Sequence, residues 1–247
     1  MTATAAPALR RISTTARVHA ANPWTILWTP WLILFGIFAL NFAIWHAVLL
    51  AADGKPVSPD AFVNNGGSTF IFVYMMVVAV QAMNQTFSFV VGLGATRRDY
   101  FAGTSLTFIA LSFIFGVGIA LLVLVERATD GWGIGAAFFS PGPLRFQPVW
   151  ELAIAYTVLL LFMFFIGTAV AAMFVRWGPT GIIAFFAALA LLLVAAVYVV
   201  TINDSWGTVG RFIADRSLLE LAALTVPLTL IAGTTGYLLM RRATPKG

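Results

Sequence analysis

FSFVVGLGATRRDYFAGT, residues 87–104, sets two adjacent arginines between two long uncharged apolar runs. Gly92 and Gly94 weaken a helix where they stand. Thr96 precedes Asp99 by three residues, the capping-box spacing in which each side chain satisfies a backbone amide of a new helix. Arg97 and Arg98 favour water, Tyr100 and Phe101 offer aromatic contact, and Gly103 lets the chain turn back. The expectation is a short helix over 96–102, parallel to a membrane and protruding from it between two spans.

The flanking runs support that setting. The chain has 247 residues, 61% of them hydrophobic and 9% charged, whereas soluble domains carry about 25% charged residues. A soluble fold of this length could not cover so much apolar surface. Six uncharged runs stand out: 31–52, 69–91, 104–125, 152–175, 181–202 and 221–240. At about 1.5 Å per residue each reaches across a roughly 30 Å hydrocarbon core. Helices are expected, because backbone amides in lipid must be satisfied within the segment. The fold class is therefore all-α, a polytopic membrane protein of six transmembrane helices.

Lys and Arg orient the bundle. Arg10, Arg11, Arg17, Arg97, Arg98, Arg176, Arg241, Arg242 and Lys246 fall on one side, against Lys55, Arg127, Arg145, Arg211 and Arg216 on the other. The positive-inside rule places both termini and the 96–102 turn in the cytoplasm. Trp24, Trp28, Trp31, Trp150 and Trp177 stand near span ends, as interfacial anchors do. The first apolar run is too long and too late for a cleavable signal peptide, so it reads as a retained span.

Outside the spans, residues 1–30 form a cytoplasmic tail and an interfacial helix. Leu9, Ile12 and Ala16 share one side of that helix, and Arg10, Thr14 and Arg17 another. Residues 126–150, rich in Gly and Pro, read as a loop. Residues 203–220 suit a short helix or re-entrant turn with Phe212 and Ile213 at the interface, and 241–247 is a second cytoplasmic tail.

On physical grounds the basic turn serves either to hold topology or to dock a soluble partner, its aromatics filling a cleft and its guanidinium groups meeting carboxylates. With the six-span layout and an N-terminal surface helix, the segment resembles the permease subunits of ABC-2 type transporters, especially the short permeases common in actinobacteria with a GLG-x-TRR-x-(Y/F)-(Y/F)-x-G stretch. The resemblance implies a type V exporter-like architecture in a bacterial plasma membrane. It also implies that Thr96, Arg97, Arg98, Asp99, Tyr100 and Phe101 form a coupling helix docking a separate ATPase, and that a second permease chain, identical or related, completes the membrane unit. No G-x-x-x-x-G-K-[ST] is present, so ATP and Mg are expected on the partner and no cofactor on this chain.

Gln81, Asn84 and Gln85 share one face of the second span. They either line a substrate path or hydrogen-bond between helices. His46 has no companions for a metal, and none is expected. Gly167 and Ala171, with Ala184, Ala187, Ala188, Ala195 and Ala196, permit close helix packing within the chain or across a dimer, and Pro227, Gly233 and Gly236 allow the last span to bend. Hydrolase motifs are absent and the spans hold no Asp, Glu, Lys or Arg, which argues against an enzyme and a proton-driven carrier. The uncharged interior points to a hydrophobic or amphipathic cargo, and the net charge of +5, placed as membrane orientation requires, does not call for nucleic acid. A stand-alone carrier or channel and a non-transporting assembly factor are the competing readings.

Overall fold

The computed structural model describes residues 24–58, 60–92 and 94–241, with the backbone alone at Gln85 and Ser88. Of the tail and surface helix expected over 1–30, residues 1–23 lie outside the described residues, as does the tail beyond Arg241. Those described are helical, with no strand among them: α1 (Thr29–Ala51), α2 (Phe70–Gly92), α3 (Arg97–Ala128), α4 (Val149–Ile202), α5 (Trp206–Ala214), α6 (Leu218–Ala223) and α7 (Thr225–Arg241). Five helical stretches are long and apolar enough to cross a membrane.

α4 explains why five stretches cover six expected runs. Its 54 residues would extend about 80 Å if straight, well over twice a hydrocarbon core. It breaks at Gly178, where φ is 67° and ψ −160°, and Pro179 follows. Only glycine enters that region cheaply, and proline supplies no amide to continue the ladder. Met173 and Phe185 line one cavity with Ile166 and Leu189, so the chain doubles back at Gly178. Each arm, 149–177 and 179–202, exceeds the roughly 20 residues a crossing needs.

The first arm of α4 is the hub. Phe164 stacks on Phe108 of α3 with centroids 4.6 Å apart. A Cβ on Gly116 would stand 2.7 Å from the Thr157 backbone nitrogen, and one on Gly167 would stand 2.8 Å from Ala79 Cβ of α2. Gly167 and Ala171 thus permit the close approach expected of them. Gly233 and Gly236 do something other than bend α7: they press it against Phe165 and Thr168. The interruption of the last run falls instead at Leu224, between α6 and α7. Pro227 lacks the amide that would bond to Ala223 four residues earlier.

α1 is set towards the far end of the bundle. Trp31 stacks on Phe115 at 4.9 Å, about 27 Å along α3 from Arg97, and Trp45 meets Phe62 at 5.9 Å. A π-helical turn, Trp24–Trp28, leads directly into α1. The first long apolar stretch therefore begins at Trp24, several residues before the expected boundary. Buried side chains form two cores. One gathers Phe115, Phe138, Phe139, Tyr156 and Phe164 towards the Glu126 end of α3, and the other gathers Met83, Phe87, Tyr100, Ala171 and Met240 towards its Arg97 end.

The expected loop over 126–150 folds as a cap. Its short helical turns, Gly131–Gly135 and Gly142–Phe146, are fastened to the first connection by Ala137 N–H donating to Phe62 O and Asn65 Nδ2 donating to Ala137 O. Arg145 pairs with Asp60 at 3.2 Å. By contrast, 179–202 buries no side chain, and its alanines stay open.

Candidate functional site

At the basic turn, Thr96 is extended (φ −74°, ψ 151°) and its Oγ1 accepts from Asp99 N–H at 3.1 Å. The N-cap half of the expected capping box is thus present. The helix it starts does not stop at residue 102. α3 continues through Gly103 to Ala128, so no separate surface helix forms over 96–102. One glycine costs a helix interior only about 1 kcal/mol, and the buried side chains on either side outweigh that.

The six expected docking residues divide into an outer and an inner set. Thr96 and Arg98 are exposed. Asp99 and Tyr100 are buried, at 5% and 0% exposure, and Phe101 is half-buried against Tyr237 with centroids 5.3 Å apart. Tyr100 packs edge-on to Phe87 at 5.3 Å, and its hydroxyl lies 2.8 Å from Thr86 Oγ1 and donates to Ala82 O. The aromatic pair therefore fills the chain's own core rather than a partner's cleft. Aromatic rings leave water wherever an apolar groove is within reach, and α2 and α7 supply one.

Arg97 has a third role. Its guanidinium donates to Arg241 O at 2.9 Å. A cation on the last carbonyls of a helix satisfies orphan acceptors and complements the negative end of the macrodipole. The turn is thus tied to α2 through Tyr100 and to the end of α7 through Arg97 and Phe101.

Gln81 and Asn84 are exposed on α2, and neither hydrogen-bonds to a neighbouring helix among the described residues. The side chain of Gln85 lies outside them. The amide face therefore opens away from this chain's own bundle.

Beside it lies an apolar slot of about 470 Å³, bounded by α2, both arms of α4 and α7. Val80, Ile166, Phe186 and Ile231 line its depth. A contiguous space of about 620 Å³ continues it towards Trp177, Thr180 and Leu239. The slot exists because the two arms part after Gly178.

Sequence reasoning missed Glu126. The carboxylate is 2% exposed and accepts five hydrogen bonds. Oε2 takes Phe138 N–H at 2.7 Å, Phe139 N–H at 2.9 Å and Trp132 Nε1–H at 3.1 Å, and Oε1 takes Ser140 N–H at 3.2 Å and Ser140 Oγ–H at 2.8 Å. Tyr156 adds a bond from its hydroxyl to Phe139 O at 2.8 Å. The one sequence signal was an acid directly after an uncharged run, followed by a glycine-rich stretch able to curl back. No protein-family model, curated protein or solved structure matches this chain.

Proposed function

We propose that the chain is the membrane subunit of an ABC-2 type exporter, crossing the bilayer six times with both termini in the cytoplasm. A separate ATPase docks at the turn before α3, a second permease chain completes the unit, and the cargo is hydrophobic or amphipathic. The observation that carries this reading is the double fastening of the basic turn: Arg98 is exposed for contact, while Tyr100 and Arg97 connect the turn to two other helices. A force on such a turn reaches α2 and α7 together. The outward amide face supports a second chain, because Gln81 and Asn84 would be costly against lipid and are satisfied by a neighbouring subunit or a polar path.

Two variants separate docking from transmission. Arg98→Glu, co-expressed with an ATPase encoded beside this chain, is expected to lower co-purification about tenfold, near 1.4 kcal/mol of binding. Arg97→Gln is expected to keep the ATPase bound while weakening the coupling of ATP turnover to cargo. Retention of the ATPase at the parental level by Arg98→Glu would overturn the docking assignment. The chain contains no cysteine, so Arg98→Cys and Thr208→Cys give clean single labels. A membrane-impermeant thiol reagent is expected to modify the Arg98→Cys variant only from the cytoplasm and the Thr208→Cys variant only from outside. The reverse pattern sinks the topology.

A further inference from the structure

The slot between the two arms of α4 has a chemical gradient along it. Its depth carries Val80, Ile166, Phe186 and Ile231. Thr235 lines both parts of the space, and towards the Arg97 end of the bundle Thr180 and Trp177 join it. Just beyond, the Arg176 guanidinium lies 5.3 Å over the Trp177 ring and is exposed. Apolar depth, two hydroxyls and an indole, then a fixed cation: this is the profile of an amphiphile with an acyl chain and an anionic head. The slot's volume is within the roughly 300–1,000 Å³ range of small-molecule sites.

We infer that this slot binds an anionic phospholipid drawn from the leaflet on the Arg176 side, one acyl chain lying between the arms and the phosphate meeting Arg176. Charge complementarity commits the site to that occupant. A zwitterionic headgroup brings a choline cation that competes with Arg176 for the same phosphate, whereas an anionic headgroup leaves its phosphate to the guanidinium, and a purely apolar guest offers Arg176 nothing. A guanidinium resting over an indole keeps its donors free for phosphate, which guanidinium geometry matches. Phe185, Phe186 and Leu189 remain 37%, 49% and 38% exposed although the first arm lies opposite, so the arms stop short of packing on each other. A chain inserted there covers both walls. That the bound lipid represents the cargo class rests on the transporter reading; the binding itself does not.

The test uses the full chain alone in phosphatidylcholine nanodiscs, with trace phosphatidylglycerol or phosphatidylcholine carrying a photoreactive group near the end of one acyl chain. Phosphatidylglycerol is expected to label the slot residues about tenfold more than Leu121 and Leu124, which face outward on α3, and more than the phosphatidylcholine probe does. Arg176→Gln should erase the headgroup preference and leave phosphatidylcholine labelling unchanged. Ala184→Trp, at an exposed position in the slot wall, should block slot labelling by both probes while Leu121 and Leu124 label as before. Equal labelling of slot and outer face, no headgroup preference, or indifference to Ala184→Trp overturns the proposal. So does disulfide formation between chains by Ala184→Cys with the slot closed to both probes, which would mean that a second copy fills it. Loss of ATPase co-purification bears on the transporter reading alone, because labelling here needs no ATPase.

Discussion

Glu126→Ala is expected to destabilise the protein by about 3–5 kcal/mol, because five neutral donors lose their acceptor at roughly 1–3 kcal/mol each and the loop recovers only part of that sum. Five donors converge on that carboxylate, three of them backbone amides in consecutive residues 138–140. Each buried donor left without an acceptor costs roughly 1–3 kcal/mol, and a loop can recover part of that only by opening to water. Opening exposes Phe138 and Phe139, which are 0% and 1% exposed in the cap. The two costs therefore oppose each other and no cheap relaxation exists. Glu126→Gln keeps the shape but turns an NH2 group towards other donors, so it should fall between the parent and alanine. Ser140→Ala removes one donor and should cost least, about 1 kcal/mol. Hydrogen exchange at the amides of Phe138, Phe139 and Ser140 checks the series directly. If those amides stay as protected in Glu126→Ala as in the parent, the carboxylate does not organise the cap.

The second large effect is expected at Gly116. A Cβ there would penetrate the Thr157 hydroxyl oxygen and approach the Thr157 N and Cα to 2.7 and 2.8 Å. Backbone atoms cannot rotate away as a side-chain tip can. The hydroxyl is itself held, donating to Ala153 O at 2.7 Å. Gly116→Ala must therefore push α3 off the hub arm, at a cost of about 1–3 kcal/mol or somewhat more. Gly116→Leu is expected to prevent accumulation of folded protein. The control is Gly36→Ala on α1, where a Cβ meets nothing within 4 Å; it should be neutral or stabilising by up to about 1 kcal/mol, the ordinary gain of alanine over glycine in a helix. Thermal unfolding of the detergent-solubilised alanine variants, and the yield of folded protein on size-exclusion chromatography for Gly116→Leu, order the three. A Gly116→Ala protein as stable as Gly36→Ala would show that the two helices do not approach this closely.

Much of the architecture was legible one-dimensionally because lipid makes it so. Long apolar runs become helices where water cannot satisfy the backbone, and the helices among the described residues, with their long apolar stretches, fit that expectation. The Thr96–Asp99 spacing announced the start of α3, since a cap is a contact between residues three apart. What failed were inferences of direction and interruption. Gly103 looked like a turn, yet α3 runs through it. Tyr100 and Phe101 looked like docking aromatics, yet Phe87 and Tyr237 receive them. Gly233 and Gly236 looked like bend points, yet they are contact points. For the aromatics and for Gly233 and Gly236 the deciding neighbour lies on another helix, and nothing local in the residue's own segment reveals it.

The amino-acid order alone determined which segments are helical, where their apolar stretches run, and that a basic, capped turn sits between two of them. Those properties follow from interactions within a turn or two of chain and from the solvent each run requires. Only the tertiary structure decided that Glu126 is the anchor of the cap over 126–150, that Gly178 folds α4 back on itself, that Arg97 faces Arg241 while Arg98 is exposed, and that a slot opens between the two arms. These depend on pairings between residues as many as 144 positions apart, and such pairings exist only once the helices have packed.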